Sequence, residues 1–93
     1  MKAIWNNQII AESSNTIQVE NNHYFPFESI KKEYFEESKT HSTCVWKGEA
    51  SYYNIVVGEK YNKDAAWYYP NTKDAAKHIE GMVAFWKGVE IIE

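Results

Sequence analysis

The stretch Ser42-Thr43-Cys44-Val45-Trp46-Lys47-Gly48-Glu49-Ala50-Ser51-Tyr52-Tyr53-Asn54-Ile55-Val56-Val57 decides how the chain is read. From Glu49 to Val57 it is rich in aromatic and β-branched residues, which suit a pleated, half-buried surface. Ala50, Tyr52 and Val56 fall on one face of the resulting strand, and Tyr53, Ile55 and Val57 on the other. Gly58 ends the run. Just ahead of it, Lys47-Gly48 reads as a turn. The polar, hydroxyl-rich segment from Ser38 to Thr43 reads as the longest loop in the chain.

Working outward, the same reading gives strands on both sides. Ala3-Ile4-Trp5 and Gln8 to Glu12 form a hairpin across Asn6-Asn7, because Asn tolerates positive φ. Thr16 to Glu20 alternates apolar with polar and is expected to complete an antiparallel meander before a turn at Asn21-Asn22. His23 to Phe27 is extended, with Pro26 confining it to an edge or a strand end. Glu28 to Lys32 reads as one helical turn, and Tyr34 to Glu37 as strand. Beyond Gly58, Tyr61 to Asp64 is expected to turn and Ala65 to Tyr69 to be a strand stopped by Pro70. Residues 72–79 form the best helix candidate, with Thr72 as cap and Gly81 past the end. Met82 to Trp86 and Val89 to Ile92 are expected to pair as a hairpin across Lys87-Gly88. The sum is a mainly β chain: about eight short, mostly antiparallel strands in a folded sheet or small barrel, with one short helix near 72–79.

Composition narrows the class. Ninety-three residues make a single domain, 1–93. The net charge is −3, and all ten basic residues are lysines. A basic surface for nucleic acid is therefore missing, as is the guanidinium fork that grips phosphate or guanine in two bonds. No apolar run approaches the roughly 20 residues that span a bilayer. The one cysteine, Cys44, has no internal partner. With no signal peptide read at the start, the expectation is a reducing, cytoplasmic setting. Expected partners are a small-molecule ligand, no nucleic acid and no membrane. The oligomeric state is left open between monomer and weak dimer.

Three blocks of the sequence then resemble a known family. They are Tyr24-Phe25-Pro26; Ser42 to Tyr52, in the pattern Thr-x-Cys-x-x-Lys-Gly-x-Ala-x-Tyr with Ser42 and Val45 departing from the usual Thr and Pro; and Ala66-Trp67-Tyr68-Tyr69-Pro70 followed by Ala75-Ala76 and Val83-Ala84-Phe85. Together they resemble the family of small bacterial domains called domain of unknown function 427, to which a nucleotidyltransferase-type label is sometimes attached. The resemblance implies a compact, mostly β domain similar to the Mss4-like arrangement of folded sheets. It implies no established reaction. Ser29 stands where the family often carries an acidic residue. No Asp-x-Asp or Gly-Ser element is present to place metals on a triphosphate.

The residues singled out each admit two readings. Cys44, with Lys47 three positions on and His41 three positions back, is either a nucleophilic or redox-sensitive thiol or a small packing residue. Lys47 and Gly48 either hold an anionic group close to backbone or make an ordinary turn. Tyr24, Trp46, Tyr52, Trp67 and Tyr69, together with Phe85, either wall a groove for a planar ligand or fill the core. Tyr52 and Trp67 are expected on adjacent strands, with Ala50 and Ala65 beside them on the same faces. His23, His41 and His78 are scattered, and no paired cysteines occur, so no metal and no cofactor is expected. The leading reading is a ligand pocket beside residues 42–53, with Tyr24, Cys44, Trp46, Lys47, Gly48, Tyr52, Trp67 and Tyr69 around it. The alternatives are an enzyme using Cys44 or Lys47 and an interaction module without a pocket.

Overall fold

The computed structural model describes residues 1–93 and is built mainly from antiparallel strands. These are β1 (Lys2–Trp5), β2 (Gln8–Glu12), β3 (Ile17–Val19), β4 (Asn22–Tyr24), β5 (Phe35–Cys44), β6 (Gly48–Val57), β7 (Lys60–Tyr68), β8 (Val83–Phe85) and β9 (Glu90–Ile92). They form a four-stranded sheet in the order β5-β6-β7-β8, a three-stranded sheet β2-β1-β9 and the hairpin β3-β4. The sheets remain open and do not close into a barrel. Three short 3₁₀ segments join them, at Phe27–Ser29, Lys32–Tyr34 and Asp74–Ile79. No helix is long and apolar enough to cross a membrane.

The central strand behaves as its alternation requires. Tyr53 and Ile55 enter the main core with Phe25, Val83 and Phe85, with Val57 packed against it. Ala50 and Tyr52 face the other way, toward a second cluster built on Tyr24, Tyr69, Ile79 and Ala84. The inner strands of the four-stranded sheet therefore carry packed residues on both faces. Strand β4 bridges the two layers. Tyr24 packs in the second cluster and its neighbour Phe25 in the main one, both fully buried. Phe25 and Val83 exchange both backbone hydrogen bonds, at 2.7 and 2.8 Å, so the β3-β4 hairpin is docked on the edge of β8.

Several local expectations give way to this packing. Residues 38–43 are strand, not loop: they continue β5 across an irregularity between Glu37 and His41. A row of hydroxyl and charged side chains suits an edge strand exposed to water, which is why its polarity misleads. The hairpin turn expected at Tyr61–Asp64 lies at Gly58-Glu59, and Lys60 already begins β7. Asp64 instead forms a bulge with φ of 56°, where the β6-β7 register shifts. The first three strands make no meander, because β3 pairs with β4 and β9 pairs with β1. For the same reason β8 and β9 are not a hairpin: Lys87-Gly88 passes the chain from one sheet to another. The helix expected at 72–79 is a 3₁₀ segment broken at Ala76. Thr72 does not cap it, and its N–H and hydroxyl bind the Glu80 carboxylate at 3.0 and 3.3 Å.

Candidate functional site

The β6-β7-β8 register sets Tyr52, Trp67 and Ala84 side by side across one face of the sheet. Two residues along, Ala50 and Tyr69 continue that face. Small residues next to rings leave an open cleft of about 170 Å³ lined by Lys47, Tyr52, Trp67, Tyr69 and Trp86. The alanines beside the rings are Ala50 and Ala84. Ala65, expected on the face of Trp67, turns into the main core with Ala66 because the Asp64 bulge interrupts the alternation.

The walls are braced from behind. Trp67 donates its Nε1–H to the Tyr24 hydroxyl at 3.2 Å, and the two rings meet edge to face. Tyr24 is fully buried, so it supports the cleft from beneath and does not line it. Tyr52 shares a 2.7 Å hydrogen bond with the Ser42 hydroxyl. Trp86 stands edge-on to Trp67 with centroids 5.8 Å apart. Its indole N–H donates to the Asp64 carbonyl, and its backbone N–H to Ala65 at 3.0 Å. Trp86 is the wall that the sequence alone does not reveal. Its position beside the Lys87-Gly88 turn reads only as a strand end.

Lys47 supplies the polar end. It is only 5% exposed, and its ammonium lies 4.8 Å from the centre of the Trp46 ring and 5.8 Å from that of Tyr69. Its Nζ is paired with the Glu20 carboxylate, whose side chain is more than half open to water. Burial, the largest influence, pushes the ammonium's pKa down. The hydrogen bond to Glu20 and the negative charge of that group, with lesser electrostatic contributions from Tyr24 and Cys44, outweigh it, so the pKa ends above its ordinary value. Glu20 is held below the ordinary carboxylate value, first by its hydrogen bond to Lys47. A lysine kept charged in this way suits an anionic partner, as its pair with Glu20 shows, and lacks the free amine that nucleophilic catalysis needs. Burial also raises the Tyr69 hydroxyl well above the ordinary tyrosine range, so it stays neutral.

Gly48 fixes Lys47 in place. Its φ is +116°, and a side chain there would meet the Asn71 carbonyl oxygen at 3.0 Å. The segment after β7 thus lies directly on the backbone at Gly48, and Lys73 N–H bonds the Lys47 carbonyl at 3.0 Å. Cys44 is half-buried and packs against the second cluster. His41 and Cys44 are three residues apart in regular register on β5, so their side chains leave opposite faces. The His41 ring bonds the Ser51 hydroxyl at 3.3 Å. No cluster of three His, Cys, Asp or Glu side chains is close enough to hold a metal ion.

A family model described as Domain of unknown function (DUF427) matches residues 1–93, the whole chain. The chain belongs to this family. No curated protein matches it. Membership accounts for the three sequence blocks together. The Cys44–Tyr52 block supplies Lys47 and Tyr52; the Trp67–Pro70 block supplies Trp67 and Tyr69 beside them and the bend onto Gly48; Tyr24 braces Trp67 from below.

One buried carboxylate behind the cleft gives a pH prediction. Asp64 accepts hydrogen bonds from Thr40 at 2.8 Å and Lys63 at 3.3 Å on Oδ2, while its buried Oδ1 has no protein partner. Burial alone would raise its pKa, but the bonds from Ser38, Thr40 and Lys63 win and hold it below its ordinary value of 3.8. A depressed carboxylate adds stability above its unfolded pKa and loses that contribution as pH falls through the folded value. The stability gap between wild type and Asp64→Asn is therefore expected to be constant above about pH 5 and to shrink below the ordinary carboxylate range. Urea unfolding at stepped pH measures it, and a gap that does not narrow in acid rejects the assignment.

Proposed function

We propose that the domain binds a small, flat organic molecule in the Lys47–Trp86 cleft. The observation that carries this reading is the convergence of four rings, Tyr52, Trp67, Tyr69 and Trp86, with a single buried ammonium at one end. Binding sites combine an apolar surround with a few fixed polar groups in this way. The volume of about 170 Å³ sets the scale. An apolar cavity of about 150 Å³ takes up one benzene, so the cleft suits one ring or two fused rings.

Edge-to-face packing of Trp67 on both Tyr24 and Trp86 holds the walls before any ligand arrives, which limits the entropy lost on binding. The raised pKa of Lys47 favours this reading over amine catalysis. The test is a thermal-shift screen of ring-bearing metabolites, followed by calorimetry on the hits. A ligand that binds only the folded state must raise the unfolding temperature. Trp67→Ala is expected to weaken a hit by about tenfold, the equivalent of about 1.4 kcal/mol, by removing a wall. Tyr61→Ala, an exposed ring near the other end of β7, is expected to leave affinity unchanged. Hits that ignore Trp67→Ala would overturn the proposal.

A further inference from the structure

Glu20 breaks a local rule. It occupies the first position of the two-residue β3-β4 turn with φ of 54°, followed by Asn21 at 66°. Such turns favour Asn, Asp or Gly there, because a longer L side chain pays for positive φ with strain. Asn21-Asn22, the pair with the better turn chemistry, is one residue further on, and Asn22 is used as strand instead. The register that results sends the Glu20 carboxylate across 27 positions of sequence to the Lys47 ammonium. The strained turn delivers this carboxylate to Lys47, with a further hydrogen bond from Trp46, so its cost coincides with a long-range contact.

We infer that the Glu20 carboxylate occupies the position of the ligand's own anionic group, so that the cleft takes planar carboxylates and Glu20 is their built-in competitor. The inference rests on the proposed reading of the cleft and adds the ligand's charge and the residue that sets its affinity. Three observations support it. Lys47 lines the cleft, and its partner Glu20 does not. Lys47 is buried while the Glu20 side chain is 55% exposed. Glu20 can therefore swing into water at little desolvation cost, whereas the ammonium cannot leave and needs a replacement anion. Finally, the ammonium already pairs with a carboxylate while it lies beside the rings of Trp46 and Tyr69. A ring carboxylate in the cleft would repeat it while stacking its ring on the walls.

Matched probes test this: indole-3-carboxylate against indole-3-carboxamide, equal in shape and different in charge. Calorimetry compares wild type with Glu20→Gln, Glu20→Asn and Lys47→Met. Removing the competitor is expected to tighten the carboxylate at least tenfold and to change the amide less than twofold. Glu20→Asn places a residue suited to positive φ in the turn. The same gain in that variant shows that it does not come from a melted hairpin. Lys47→Met is expected to abolish the preference for the carboxylate while the amide still binds. In wild type, carboxylate but not amide is expected to speed hydrogen exchange at the tip of the β3-β4 hairpin. If both probes bind and the Glu20 variants shift neither, or shift both alike, the competitor role is overturned and the cleft stands. If neither probe binds any variant, the cleft reading and the inference fall together.

Discussion

Phe25→Ala is expected to lower the free energy of unfolding by about 3–5 kcal/mol. Domains of this size hold only about 5–15 kcal/mol in total, so the variant should sit near the edge of folding. The reason is where the ring lies. Phe25 is fully buried in the main core, edge-on to Phe85 with centroids 5.5 Å apart. It is also the residue through which the β3-β4 hairpin joins β8. Truncation leaves the two backbone bonds to Val83 in place but opens a cavity between the hairpin and the four-stranded sheet. Urea unfolding reads the result as a lower midpoint at unchanged slope. A loss of less than about 1 kcal/mol would mean that the site closes up after truncation, and that the ring does not tie the hairpin down.

Gly48→Ala carries the second large effect, expected at about 1–3 kcal/mol from backbone strain alone. Two independent costs coincide. The φ of +116° is one that L residues rarely adopt, and the new Cβ would press on the Asn71 carbonyl oxygen at 3.0 Å. That oxygen belongs to the main chain and cannot swing aside as a flexible side chain would. The 71–73 segment must then move, and with it the Lys73 hydrogen bond that holds the Lys47 carbonyl. Stability and cleft affinity should therefore fall together. Gly88→Asn is the control: its φ is +86°, a new Cβ meets nothing within 4 Å, and Asn accepts positive φ. It should change either quantity little. A Gly48→Ala protein as stable as wild type would show that the 71–73 segment does not need its close approach.

The two variants also separate what was legible in the chain from what was not. The strand 49–57, its two faces and the hairpin at Asn6-Asn7 follow from alternation and turn chemistry, which are properties of neighbours in sequence. Phe25 and Gly48 stood in the recognisable blocks, as did Lys47, Tyr52, Trp67 and Tyr69, which the fold brings to one cleft. Partner choice was not legible. Nothing in Val89 to Ile92 says whether it pairs with β8 or crosses to β1, because either neighbour would bury the same residues. The polar edge strand at 38–43 read as loop for a related reason: a strand with one free edge and wet faces has the composition of a loop.

The opposed faces of β6 and the Lys47-Gly48 turn at its start follow from neighbouring residues alone. Local backbone preference and the period of two suffice for both. What that pair contacts depends on the whole fold. Glu20 lies 27 residues before Lys47 and reaches it through a hairpin docked on β8. Trp86 comes from the far end of the chain and is turned toward Trp67 by a bulge at Asp64. Both contacts join segments distant along the chain. Such contacts depend on which strands pair and where their register slips, and those are settled by the packing of the whole molecule.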